Sequence, residues 1–351
     1  MAPEQSSAFA PGRVNLLGEH TDYNQGPALP FAIADGVTVH VRARADRRVQ
    51  ASACDLDEQD AFDVDSREPS SGWRAFVRGV VAELSDAGFA IPGASIEIAG
   101  SVQQGAGLSS SAALEVALSL ALMEIGATAE SDDAQRPLTR IETAQLCKRV
   151  ENDWVGAQTG LLDQLASLYG APEHALRIDF RTLDVAPVPL ALGDWRMVVL
   201  DSGERHANAA SGYNERRREC ARACELLGVQ SLRELDFEQA AALPTPLDLR
   251  ALHVLGENQR VEEAVNALSR EDLSAVAQLL SASHQSLRDL FSSSTPAVET
   301  TVERLIGDGA AGARMVGGGF GGNVLALFAP GVQPPSEARE VKPGPGAHLL
   351  A

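Results

Sequence analysis

Apolar and polar positions alternate along VTVHVRARA, Val37–Ala45, which predicts a strand with one buried face. Asp46–Arg48 reads as a turn and Val49–Ala53 as a short partner strand. Acidic residues then thicken from Asp55 to Glu68, the pattern of a solvated surface hairpin. Trp73, Phe76, Val77, Val80, Val81 and Leu84 share one helical stripe, so Trp73–Ala87 is expected to be a helix. Ser95–Ala99 alternates again. The run after Ser111, AALEVALSLALM, is apolar on most sides and predicts a buried helix. Ser131–Pro137 is a polar break. Helices are expected over Thr139–Trp154 and Leu161–Tyr169, then strands over Ala175–Phe180 and Val185–Pro189.

Trp195–Leu200 reads as a strand opening a second domain. Helical spacing follows over Ser211–Leu227, Leu247–Leu268, Leu273–Leu290 and Pro296–Ile306. A glycine cluster leads into a β-like run, Val324–Phe328, and the tail Pro330–Pro345 is Pro-rich and irregular. There is no internal repeat. Mixed strands first, then helices with few strands, predict an α+β chain. With 351 residues, 44% of them hydrophobic, the chain can fill two cores.

Charge narrows the classes of partner. Forty-eight acidic residues against 29 basic ones give a net charge of −19, which argues against nucleic acid and against an anionic membrane surface. Four cysteines, Cys54, Cys147, Cys220 and Cys224, are too few for a disulfide framework at this size and have no zinc-like spacing. The start, MAPEQSSAFAPG, lacks the basic and apolar regions of a signal peptide, and no apolar run is long enough to span a membrane. A cytoplasmic, monomeric enzyme acting on small molecules is expected.

Three glycine-bearing segments carry candidate chemistry. Gly105-Ala-Gly-Leu-Ser-Ser-Ser111 precedes a helix, so its small residues and the unpaired amides of the helix N-terminus suit a polyphosphate. It is not a Walker loop, which ends in Gly-Lys-Ser/Thr, and the chain has only two lysines, Lys148 and Lys342. Phosphate charge must therefore be met by amides, a metal ion and arginine. The second segment, APGRVNLLGEHTDYN (Ala10–Asn24), crowds Arg13, Glu19, His20 and Asp22 among Val14, Leu16 and Leu17. Charges interleaved with residues that need burial suggest a pocket wall. The third, RMVGGGFGGNVLALF (Arg314–Phe328), sets five glycines around Phe320.

Together these segments resemble the three signature motifs of the GHMP small-molecule kinases, and GRVNLLGEHTDYN resembles the galactokinase family within them. The resemblance runs in order from Pro11 to about Phe328. It implies an N-terminal domain like ribosomal protein S5 domain 2 over 1–192 and a ferredoxin-like C-terminal domain over 193–351. It also implies an active site in the cleft between them and a last strand that can return to the first domain.

Site residues follow from the same likeness. Gly156–Gln164 resembles the segment carrying the catalytic base, which assigns that role to Asp163, otherwise an odd lone acid at an apolar helix start. Arg13 would be its companion, meeting charge that develops on the phosphoryl group. The family form carries a cysteine and Met-Asp-Gln where this chain has GAQTGLLDQ. Gly105, Ala106, Gly107, Leu108, Ser109, Ser110 and Ser111 would cradle ATP. Ser111 and Glu151 match metal-ligand positions, and one hydroxyl with one carboxylate is enough protein for Mg²⁺. From the residues alone, Asp153 is as good a choice as Glu151. Glu19, His20, Thr21 and Asp22 would line the sugar site with Tyr213, and Gly317–Gly322 would close over sugar or phosphates.

The expected activity is transfer of the γ-phosphoryl of MgATP to the C1 hydroxyl of α-D-galactose by direct in-line displacement, feeding galactose into the Leloir pathway. Alternatives are a kinase for galacturonate, arabinose or N-acetylgalactosamine, and a non-catalytic galactose and ATP sensor. The intact GLSSSAA loop, Asp163, Glu151 and Arg13 argue against the sensor.

Overall fold

Three sheets and nine α-helices carry the chain in a computed structural model that describes residues 3–102, 107–126, 137–205 and 209–351. In chain order the first half holds β1 (Gln5–Asn15), β2 (Pro27–Ala28), β3 (Pro30–Arg44), β4 (Arg48–Ala53) and β5 (Glu58–Asp63). Then come α1 (Trp73–Asp86), β6 (Gly93–Gly100), α2 (Ser110–Gly126), α3 (Arg140–Arg149), α4 (Leu162–Tyr169), β7 (His174–Asp179) and β8 (Asp184–Pro189). The second half holds β9 (Arg196–Arg205), α5 (Ala209–Leu227), α6 (Phe237–Ala241), α7 (Leu247–Leu268), α8 (Leu273–Asp289), α9 (Pro296–Gly307), β10 (Gly312–Met315), β11 (Gly321–Phe328), β12 (Arg339–Glu340) and β13 (His348–Leu349). Among the described residues no helix is long and apolar enough to cross a membrane.

The first sheet runs β13-β1-β3-β6-β4-β5, the second β10-β11-β9-β12 and the third β2-β7-β8. One strand partner departs from the sequence reading. β4 does not pair with β3, because β6 lies between them, antiparallel to β3 and parallel to β4. A parallel pair needs a crossover, and β5 with α1 supplies it between β4 and β6. The acidic stretch becomes edge strand β5, hydrogen-bonded to β4. Its charges are met by Arg74 on Glu58 and Arg78 on Asp60. The tail is less irregular than expected: β12 joins β9, and β13 joins β1 with Phe9 opposite His348.

Helix ends follow local chemistry. α3 starts in a capping box, where the Thr139 hydroxyl accepts from the Glu142 amide and Glu142 accepts from the Thr139 amide, worth about 1 kcal/mol. The α-helix expected to Trp154 stops at Arg149 and widens into a π-helical turn, Val150–Val155, closed by left-handed Gly156. That turn buries Glu151 and leaves Asp153 exposed.

Three apolar cores result. One lies between the first sheet and α1–α4, and another packs α5–α9 on the second sheet. The third joins the halves: Val14, Leu16, Leu17 and Leu108 pack with Val261, Val276, Val316 and Leu325. The apolar half of the Ala10–Asn24 segment is therefore inside the seam, and its polar half is left at the seam's edge.

Candidate active site

Arg13 sits on β1 just past an irregularity in its pairing with β3. Gly12 is required there, because an added Cβ would lie 2.5 Å from the Leu108 carbonyl oxygen. The same close approach lets the Arg13 amide donate to Leu108 O at 3.1 Å, so the first motif is bonded to the second. The Arg13 guanidinium is nearly buried. Its Nε and one terminal nitrogen reach Asp163 Oδ1 at 2.8 and 2.7 Å, and NH1 donates to Gly107 O at 2.6 Å. Asp163 stands in the first turn of α4, and the Ser109 hydroxyl donates to its Oδ2.

Ser109 takes positive φ just before α2, and the Ala113 amide donates to Ser109 O. The amides of the first turn thus have no intrahelical acceptor, which is the donor set an anion needs. Ser110 and Ser111 open α2. Gly105 and Ala106 lie outside the described residues, as do residues 131–136 of the polar break and His206.

Glu151 is buried behind this mouth. It accepts from Ser111 Oγ at 3.0 Å, from Gln164 Nε2 at 3.0 Å and from the Thr159 hydroxyl. Burial raises its pKa, and these hydrogen bonds pull back against that. Gln164 also faces Glu115, a fully buried acid on α2 whose carboxyl burial pushes well above the usual range. An acid within the apolar run after Ser111 was the available signal for Glu115, the same signal that singles out Asp163. The oxygen donors of Ser111 and Glu151 suit a hard divalent cation that keeps most of its waters.

A cavity of about 320 Å³ adjoins Asp163, lined by Arg13, Glu19, His20, Asp22, Tyr213 and Gly318 among others. Glu19 is fixed from the far side: its Oε1 accepts from the Gly317 amide at 2.7 Å and lies 3.0 Å from buried Arg314. His20 gives Nε2–H to Gly318 O at 3.2 Å, so Nδ1 accepts from the Tyr23 hydroxyl at 2.9 Å. Burial first, then His253, push its pKa down to about 3, so the ring is neutral. Burial lifts Asp22 to about 6, with Asp163 and Glu19 adding repulsion. Burial also raises the Tyr213 phenol well above its usual range, which keeps it a hydroxyl.

Thr21 is placed differently from its neighbours. It is fully buried, does not line the cavity, and gives its hydroxyl to Gly18 O and Pro27 O at 2.8 Å each. Its place is in the framework of the loop. The third motif does reach the site, through Gly317, Gly318 and Gly319.

A second cavity, about 500 Å³, opens on the other side of Ser110 and Ser111. Trp73, Phe76, Leu56, Ile98 and Leu114 give it apolar walls. Sequence periodicity placed Trp73 and Phe76 on the buried stripe of a helix, and nothing in the pattern separated them from core. The arrangement is thus an apolar slot, an amide-rich helix mouth and a polar cavity in a row, with a carboxylate and a guanidinium at the junction.

Comparison with known proteins agrees with this layout. The galactokinase galactose-binding signature matches residues 2–43, the GHMP kinase N-terminal domain matches 75–171 and the GHMP kinase C-terminal domain matches 264–344. Galactokinase from Mycobacterium tuberculosis is 43% identical over 347 residues, covering 95% of this chain and 90% of that one. Galactokinase from Roseiflexus sp. is 41% identical, covering 91% and 82%. The crystal structure of Lactococcus lactis galactokinase complexed with galactose superposes with a TM-score of 0.90 at 32% identity, covering 99% and 96%. Methanococcus jannaschii mevalonate kinase shares the fold alone, at 17% identity and a TM-score of 0.65. The chain belongs to the galactokinase family of the GHMP kinases.

Proposed function

We propose that this kinase transfers the γ-phosphoryl group of ATP to the C1 hydroxyl of α-D-galactose, with Asp163 as the base. The observation that carries this is the cluster of Arg13, Asp163 and Ser109 between the helix mouth and the sugar-sized cavity. Arg13 occupies Asp163 Oδ1 with two donors, which leaves Oδ2, shared among the described residues only with Ser109, as the oxygen that takes the hydroxyl proton. The phosphates would lie on the amides of α2 and the adenine in the slot beside Trp73. Arg13, held on Gly107 and Asp163, keeps its charge where negative charge grows during transfer. Glu19, Asp22 and Tyr213 would read the sugar hydroxyls, with carboxylate oxygens each accepting one or two hydrogen bonds.

Mg²⁺ would be held by Ser111 and Glu151 and would neutralise phosphate charge when bound. The other residues act by positioning: Gln164 and Thr159 orient Glu151, and His20 braces the wall between Tyr23 and Gly318. The test is ADP release against galactose, galacturonate, arabinose, N-acetylgalactosamine and mevalonate, with phosphorus NMR of the product. Turnover led by galactose, with the phosphate on C1, is the expected result. A different leading sugar would move the substrate, and phosphate elsewhere on galactose would overturn the C1 assignment.

A further inference from the structure

The sugar-facing loop from Gly18 to Asp22 is held in place from the other half of the chain. Glu257 lies on α7, is fully buried and falls outside all three glycine-bearing segments. Its Oε1 accepts from the Gly18 amide at 2.8 Å and from Ser283 Oγ at 2.8 Å, and its Oε2 accepts from Arg260 Nε at 2.7 Å. Burial alone would raise its pKa, but Arg260, then His253, Arg314 and the Gly18 amide outweigh burial and hold the carboxyl down at about 2. One helical turn earlier, neutral His253 donates Nε2–H to the Glu19 carbonyl at 3.3 Å and accepts from Ser286 at Nδ1. Residues four apart share a helix face, so one stripe of α7 grips both the Gly18 amide and the Glu19 carbonyl.

The gripped backbone has little freedom of its own. Gly18 takes a φ of +96°, and its Cα packs so close to Ala28 that a Cβ would sit 2.5 Å away. Thr21 closes the loop internally on Gly18 and Pro27. The loop is thus tied on itself, and the contacts from α7 anchor its entry to the other half of the chain. We propose that Glu257 is a positioning residue for the sugar: its ionised carboxylate fixes the Gly18 amide and so places Glu19, His20 and Asp22 around the substrate. This rests on the reading of the first cavity as the galactose site. Glu257 lines neither the cavity beside Asp163 nor the slot beside Trp73, so its effect falls on sugar affinity through the loop.

The experiment compares the wild type with Glu257→Gln, the paired variant Glu257→Leu/Arg260→Met and Ser283→Ala. Glu257→Gln keeps the shape and weakens the charged hydrogen bond. It is expected to raise KM for galactose about tenfold, with kcat and KM for ATP within about twofold of wild type. The paired variant removes the buried Glu257 carboxylate together with its half-buried Arg260 partner, so neither is left without the other while the Gly18 amide loses its acceptor, and it should show the same split. Ser283→Ala frees only the second partner of Oε1 and should leave both KM values in place. Isothermal titration with galactose alone gives the binding constant directly. If the folded variants bind galactose as tightly as wild type, or if KM for ATP rises in parallel, the positioning role is wrong. A wild type that neither binds nor phosphorylates galactose would instead overturn the reading of the cavity.

Discussion

Arg13 and Asp163 are 150 residues apart in sequence and meet through two nitrogens on a single carboxylate oxygen. The asymmetry has a chemical consequence. One oxygen of Asp163 is saturated by Arg13, and the other faces Ser109 and the cavity. Asp163→Asn keeps the shape but removes the proposed proton acceptor. It is expected to lower kcat by about a thousandfold or more, with ATP binding within a few-fold of wild type. Steady-state rates and nucleotide titration check this; a variant retaining most of its kcat would remove Asp163 from the chemistry. Ser109→Ala, which leaves Oδ2 free, should cost far less.

Glu151 and Asp153 are two residues apart and only Glu151 is turned inward, where Ser111, Thr159 and Gln164 hold it. Glu151→Gln is expected to raise the Mg²⁺ concentration for half-maximal rate about tenfold at fixed ATP. Asp153→Asn should leave it unchanged. Rates across a magnesium series, with Mg²⁺-dependent nucleotide binding in parallel, distinguish the two. Equal effects from both substitutions would argue for general loss of acidity, not for a ligand.

That choice marks where the sequence stopped being legible. Spacing located helices such as α1 and α8, because apolar stripes such as Leu273, Val276 and Leu280 are set by burial, which acts locally on the pattern, and continuous apolarity located α2. It could not choose Glu151 over Asp153, since the π-helical turn that decides it changes the helical phase after Arg149. Nor could it place β6 between β3 and β4, because strand order depends on crossovers that no alternation encodes. Arg13 and Asp163 were legible through their motifs. Glu257 and His253 were not, because a polar side chain buried in a long helix has the same sequence pattern as an exposed one, and nothing in the third segment marked Arg314, on β10, as buried. Thr21, named with its neighbours, is buried with its hydroxyl on Gly18 O and Pro27 O, a folding of the loop on itself that no spacing in the sequence displays.

The apolar slot beside the helix mouth predicts a separable nucleotide effect. Trp73 and Phe76 line it, and the indole of Trp73 is anchored by donating to Glu58 at 2.8 Å. Losing an aromatic face from a base-binding site costs about 1–3 kcal/mol. Trp73→Ala is therefore expected to raise KM for ATP by about tenfold or more. KM for galactose should stay put, because Trp73 does not line the cavity beside Asp163. A rise in the galactose constant instead would mean that the two cavities are assigned the wrong way round.

Through its buried carboxyl, Asp22 makes the stability of the protein depend on pH. Its carboxyl is lifted from 3.8 to about 6 by burial, by Asp163 and by Glu19, while the Tyr23 amide and Arg217 pull the other way. Between those values the folded protein holds a proton that the unfolded chain has released, so stability falls as pH rises through the window and the cost is fully present above it. Asp22→Asn should therefore raise Tm at pH 7.5 and change it little at pH 4. Sugar binding runs the opposite way. Above pH 6 the carboxylate can accept hydrogen bonds from two sugar hydroxyls, and below it one oxygen becomes a donor. Wild-type KM for galactose should thus rise as pH drops from 7.5 to 5, while Asp22→Asn should show a higher KM that is flat across the same range. A flat wild-type profile would mean that Asp22 does not bind the sugar in its charged form.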